Sequence, residues 1–127
     1  MTDLILDSSA VLAWVHDEPG GAALEPMLRD AAISAVNLAE VVSKLIEQGY
    51  TPQQAISVVG TFPSLVEPFD EGLAVAAGLM RAETRRHGLS LGDRACLALA
   101  RREELPAVTA DRAWVQVEVG VEIRMLR

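Results

Sequence analysis

Two short strand-like runs, each ending on an aspartate, constrain this chain more than any other feature. Leu4-Ile5-Leu6 runs into Asp7, and Pro106 to Ala110 runs into Asp111. A continuous apolar run such as 4–6, without alternation, belongs in a sheet buried on both faces. Further strands are expected at 31–35, 64–69 and 121–126, the second of these marked as an edge or an end by Pro68. Helical spacing fills the intervals at 8–15, 22–29, 38–48, 71–87 and 90–104, with another helix opening at Thr51-Pro52 and a brief one around Ala113-Trp114-Val115. Strands alternating with helices of this length imply a central parallel sheet covered on both sides, a three-layer α/β/α domain. Ligands of such sheets bind beyond the carboxyl ends of the strands, where Asp7 and Asp111 fall.

The 127 residues are expected to form a single domain, 1–127. Half of them are hydrophobic and only 4% aromatic, so the core must be built from Ala, Val, Leu and Ile. A net charge of −7 argues against holding a polyanion by bulk charge, which needs a basic face, but leaves room for a nucleic-acid enzyme that recruits cations to its carboxylates. Cys96 is the single cysteine, which rules out an internal disulfide framework and a CxxC zinc site; among Ala95, Leu97 and Ala98 it reads as a small buried hydrophobe. The start carries no basic segment, and the longest apolar run, 73–80, is far below the ~20 residues of a membrane span. A soluble cytoplasmic protein without membrane association is the expectation.

Helix ends are well marked. Thr51 caps a helix with Pro52 in its first position, Asp70 caps the long helix, Gly88 follows its end, and Ser90 begins the next. Phosphate-cradling glycine motifs and a GxSxG elbow are absent, and His16 and His87 lack metal-site spacing, so zinc is not expected.

Carboxylate chemistry remains. Asp7, Glu40, Asp93 and Asp111 stand out by placement, at strand ends or early in helices. Hard divalent cations take oxygen ligands, and two of them about 3.5–4 Å apart can activate a water and stabilise a leaving oxygen in phosphodiester hydrolysis. Without metal, four close carboxylates would repel one another. Each acid also has a plain structural use. Asp7 and Asp111 can cap helices, and Asn37-x-x-Glu40 and Ser90-x-x-Asp93 have capping-box form. On a helical wheel Glu40 lies with Lys44 and Glu47, opposite Leu38, Val42 and Leu45, so an exposed Glu40–Lys44 pair would account for it. Asp93 is the strongest candidate, because its helix is apolar most of the way round and a buried acid needs a partner.

Ten of the eleven basic residues are arginine. Arg94 and Arg112 directly follow Asp93 and Asp111 and are candidates for RNA contact; Arg81, Arg85 and Arg86 cluster at one helix end, where they would grip phosphates or simply complement the helix dipole. Trp14 and Trp114 read as core or interface residues, and Ala55, Ile56, Val59 and Trp14 are candidates for a dimer surface.

Laid out this way, the sequence resembles the PIN-domain family, specifically VapC-like ribonuclease toxins of type II toxin–antitoxin systems. Four segments carry the resemblance: Leu4 to Ala10, Ser34 to Glu40, Leu89 to Ala100 and Thr109 to Trp114, each holding one of the four acids, in order along nearly the whole chain. The resemblance implies a PIN-like α/β/α fold and a Mg²⁺- or Mn²⁺-dependent endoribonuclease in which a metal-activated water attacks the RNA phosphodiester. Asp7 and Asp93 would be the principal metal ligands, with Glu40 and Asp111 completing the pocket directly or through water, and Ser8 and Thr109 orienting the carboxylates. It also implies a homodimer, an RNA substrate and a cognate antitoxin that blocks the site. The polar side of the Glu40 helix would then face a wet acidic cleft.

Two readings compete. A phosphorelay receiver domain also places acids at strand ends, with Thr109 as its switch hydroxyl, but needs a lysine near the last strand, and the only lysine is Lys44. A non-catalytic PIN-like module would bind RNA or a partner without cutting; the intact set of acids argues against it.

Overall fold

Ile5 and its neighbours Leu4 and Leu6 point to opposite faces of one sheet, and each face has a core of its own. A computed structural model describes all residues, Met1–Arg127. Strand β1 (Leu4–Leu6) is followed by helix α1 (Ser8–Val15), a 3₁₀ segment (Gly21–Asp30), β2 (Ala31–Ser34), α2 (Ala35–Glu47), α3 (Pro52–Gly60), β3 (Leu65–Glu67), α4 (Glu71–Thr84), α5 (Leu91–Glu103), β4 (Ala107–Thr109) and β5 (Ile123–Met125). The five strands form one sheet in the order β3-β2-β1-β4-β5, and every neighbouring pair is parallel. The expected α/β architecture is therefore the observed one. Ile5, Ala32 and Ala107 pack with Leu73, Ala77, Met80 and the apolar body of α5 on one face; Leu4, Leu6, Ile33 and Val108 pack with Val11, Leu24, Val41 and Leu45 on the other. Burying each large aliphatic side chain contributes roughly 1.5–3 kcal/mol, which is how a chain with few aromatics holds together. Cys96 is fully buried in the first of these cores, as its neighbours predict.

Local signals set most element ends. Thr51 and Gln54 close a reciprocal capping box on α3, Asp70 Oδ1 accepts the Leu73 amide at 2.9 Å, and Ser90 caps α5. Three of the expected helices need correction. The 22–29 helix is a 3₁₀ segment, because Pro26 removes an amide and its ring blocks the preceding turn of an α-helix. A Cβ at Gly21, where that segment begins, would overlap the Ala13 carbonyl, so the chain turns there against α1. Helix α2 begins at Ala35 rather than Leu38, with Ser34 Oγ accepting the Val36 amide at 3.2 Å; Asn37 is thus inside the helix and is not its cap. The long helix gives way after Thr84 to a 3₁₀ turn, Arg85–His87, before Gly88 at φ 66°. Trp114 is wholly buried. So is Ala55, which removes it from any dimer surface, whereas Ile56 on the same helix is 66% exposed. No helix is long and apolar enough to cross a membrane.

Candidate metal site

From β1 the sheet is built outwards in both directions, through β2 to β3 on one side and through β4 to β5 on the other. The reversal of strand order between β1 and β4 opens a crevice at their carboxyl ends, the usual ligand position in open parallel sheets. Asp7 follows β1 directly, Asp111 lies just beyond β4, and α2 and α5 bring Glu40 and Asp93 to the same end.

Asp7 is 1% exposed. It occupies the position before α1 without capping that helix; instead its Oδ2 accepts from Ser9 Oγ at 2.6 Å and from Thr109 Oγ1 at 2.9 Å. The two hydroxyls lie 3.1 Å apart and in turn accept backbone amides, Ser9 from Ala110 at 2.9 Å and Thr109 from Asp111 at 3.0 Å, so both are fixed in orientation. Asp7 Oδ1 is buried and has no hydrogen-bond partner. Burial raises the Asp7 carboxyl to about 6; the charges of Asp93 and Glu40 add to the effect, and the two hydroxyls work against it.

Glu40 Oε1 accepts from Ser8 Oγ at 3.0 Å and from Asn37 Nδ2 at 2.9 Å. Its carboxylate rests on the first turn of α5, where a Cβ at Gly92 would overlap it. The Glu40–Lys44 pair of the helical wheel does not form, since Lys44 pairs with Glu47 at 3.4 Å. Asp93 Oδ2 accepts the Ser90 amide at 2.9 Å and completes the capping box, while burial, and secondarily Asp111 and Glu40, raise its carboxyl above the ordinary range. Asp111 Oδ1 accepts the Ala113 amide at 2.9 Å, capping the 3₁₀ turn Arg112–Trp114. Capping by Asp93 and Asp111 is real, yet it occupies one oxygen of each.

The four acids share a pattern. Each carboxylate has one oxygen held by donors of the chain, and its second oxygen (Asp7 Oδ1, Glu40 Oε2, Asp93 Oδ1, Asp111 Oδ2) accepts no hydrogen bond. The buried, unpartnered Oδ1 of Asp7 and an all-oxygen donor set suit a hard divalent cation. No three acidic, histidine or cysteine side chains stand close enough to enclose an ion by themselves. That arrangement is compatible with Mg²⁺, which binds through one or two carboxylates and keeps several waters.

The two arginines singled out for RNA contact each spend one nitrogen on a backbone carbonyl. Arg94 is half-buried with Nη1 on the Ala77 carbonyl of α4 at 2.9 Å, and Arg112 donates to the Arg127 carbonyl at 3.2 Å. Sequence reasoning assigns Ser8 and Thr109 to the support of the acids, and both hydrogen-bond one; it passes over Ser9, Asn37 and Gly92. Ser9 is hidden among helix-start residues, and Asn37 shows only as the apparent cap one turn before Glu40.

A profile of the PIN domain matches residues 4–120. The chain belongs to the PIN-domain family. All four acids of this PIN domain fall inside the matched segment. Its fold is similar to that of the DNA-bound VapBC of Salmonella typhimurium (TM-score 0.76, 22% identity, 100% of each chain covered). It is also similar to a toxin–antitoxin complex from Klebsiella pneumoniae (0.76, 16% identity, 98% of each chain). A third similar structure is VapC20 of Mycobacterium tuberculosis, a sarcin–ricin-loop-cleaving toxin (0.75, 15% identity, 94% of this PIN domain and 99% of that chain). At these identities the likeness is one of fold. None of the curated proteins matches the chain in sequence.

Proposed function

We propose that this PIN domain is a Mg²⁺- or Mn²⁺-dependent endoribonuclease, the toxin of a toxin–antitoxin pair, with an RNA substrate, a protein antitoxin and a second copy of the chain as partners. The observation that carries the reading is the buried Asp7 Oδ1, unpartnered, in a crevice where three more carboxylates each leave one oxygen without a hydrogen bond. A buried acceptor without a donor destabilises a fold, and a cation is the ligand that compensates it. The toxin and antitoxin assignment is supported by fold similarity to a toxin–antitoxin complex and to an RNA-cleaving toxin.

In this reading Asp7 and Asp93 are the principal ligands, and Glu40 and Asp111 act directly or through water. A bound divalent cation supplies Lewis-acid stabilisation of charge on the phosphoryl oxygens and lowers the pKa of water toward neutrality. Ser9 and Thr109 hold Asp7 by one oxygen and keep the other turned to the crevice; the Ser90 amide does the same for Asp93, and Ser8 and Asn37 for Glu40. A carboxylate oxygen that does not hold the cation directly, on Glu40 or Asp111, would orient water beside the scissile phosphate and accept its proton. With a net charge of −7, grip on RNA falls first to Arg81, Arg85 and Arg86 at the end of α4, which neither pair with an acid nor hold a backbone carbonyl.

Purified protein, free of any partner, should cut RNA with Mg²⁺ or Mn²⁺ and not with EDTA, and folded Asp7→Asn and Asp93→Asn proteins should be inactive. Cleavage that survives in both variants would sink the assignment of these acids. Metal binding without cleavage across structured and unstructured RNAs would favour a non-cutting PIN-like module.

A further inference from the structure

The buried amide of Asn37 belongs to none of the four carboxylates, yet it joins two halves of the crevice. Its side chain is fully buried, and its Nδ2 donates to Glu40 Oε1 at 2.9 Å and to the Gly92 carbonyl at 2.9 Å. Both neighbours are acceptors, so the amide has only one workable orientation, nitrogen toward them. The opposite end, Oδ1, is then buried without a partner. A half-satisfied buried amide is a poor device for stability alone, because an apolar side chain would fill the space without an orphaned oxygen. Gly92 completes the arrangement: the Glu40 carboxylate lies where a side chain on the first turn of α5 would start. Without Asn37, Glu40 would keep only the Ser8 hydroxyl, on a different helix, as a donor.

We propose that Asn37 is a positioning residue that clamps the Glu40 carboxylate against Gly92, setting the distance between the α2 acid and Asp93 on α5. The proposal rests on the metal-site reading above for its consequence, and on the hydrogen bonds for its geometry. Asn37 uses both amide protons, one on the acid and one on the backbone beside Asp93, so it couples the two helices where both meet the ligand. It touches neither substrate nor cation and acts through Glu40.

A mutant cycle with Asn37→Ala, Glu40→Ala and the double variant tests the clamp. The probe is Mn²⁺ binding by calorimetry, followed on the same proteins by thermal unfolding in metal-free buffer. The expected result is an Mn²⁺ dissociation constant raised about tenfold or more by N37A in the wild-type background and by less than about twofold in the E40A background. Asn37→Ser, which keeps one donor, should fall between wild type and N37A. An equal loss in both backgrounds, or an unchanged dissociation constant in folded N37A, would overturn the clamp. If the wild-type protein binds no Mn²⁺, the metal reading itself fails, and the metal-free cycle decides: unfolding losses that are less than additive sustain the link between Asn37 and Glu40, and additive losses refute it.

Discussion

The Glu40 carboxylate lies directly over the α-carbon of Gly92, so an acid on α2 and the first turn of α5 share a space that no side chain on α5 can enter. Glu40 is thereby brought to Asp93, one residue further along, and its charge contributes to raising the Asp93 carboxyl. A residue with no functional group thus sets the shape of the acidic crevice.

Gly92→Ala tests that relationship. The new methyl group must displace the carboxylate, because the helix backbone beneath it cannot yield as a side chain can. The expected outcome is a folded protein whose divalent-ion affinity and RNA cleavage fall roughly 10- to 100-fold, the range typical for losing a group that orients a ligand. Calorimetric titration with Mn²⁺ reads it, and wild-type affinity in the variant would show that Glu40 is not held there for metal.

Asp7→Asn should stabilise the metal-free protein at neutral pH. The Asp7 carboxyl stands at about 6 in the fold against an ordinary 3.8. Below 3.8 it is protonated in the folded and unfolded chains alike, and folding carries no penalty from it. Between 3.8 and 6 the unfolded chain ionises first, so native stability falls as pH rises, and above about 6 the loss levels off near 3 kcal/mol. Asp93, also raised, acts in the same direction. Denaturant unfolding at about pH 7.5 should show the variant ahead by up to about 3 kcal/mol, the gap closing toward about pH 4. Mg²⁺ should close the gap and, at about a thousand times its Kd, reverse the order, since it then adds about 4.1 kcal/mol to the protein that binds it. Equal stabilities at both pH values would mean that burial of Asp7 is not a source of strain.

Thr109→Val keeps the shape of a fully buried side chain and removes its hydroxyl. One donor to Asp7 Oδ2 and the acceptor for the Asp111 amide go with it. The loss is expected at about 1–3 kcal/mol of stability, with a larger effect on cleavage because Asp7 and Asp111 both shift. Thr109→Ser should retain most of both. Parallel unfolding and cleavage assays separate the two effects, and full activity in Thr109→Val would contradict an orienting role.

Arg81, Arg85 and Arg86 are exposed at the end of α4 and pair with no acid, while Arg94 and Arg112 are tied to backbone carbonyls. Replacing Arg81 and Arg85 by glutamine should weaken RNA binding by an inactive Asp93→Asn protein. The slope of log affinity against log salt should fall by about one for each phosphate that is no longer neutralised. Arg112→Gln should leave the slope unchanged. The reverse pattern would move the RNA path to the β4 side of the crevice.

The sequence alone determined the layered parallel architecture and most helix ends and singled out the four acids as candidates, because each depends on rules that act over a few residues: apolar runs, helical spacing, and caps such as Thr51, Asp70 and Ser90. The start of α2 is misread from local pattern because Ser34 and Asn37 both have capping chemistry, and only the backbone path out of β2 chooses between them. The tertiary structure decided what each acid does with its two oxygens. Whether Asp93 is a cap or a ligand could not be separated in the sequence, and in the fold one oxygen caps while the other accepts no hydrogen bond. Ser9 against Thr109, Asn37 against Gly92, and Arg94 turned onto Ala77 are meetings of residues far apart in the chain, set by how β1 lies beside β4 and how α5 packs on α2 and α4. Hydrogen bonds of a few ångströms between such residues depend on the sum of all the packing around them, and no local pattern encodes that sum.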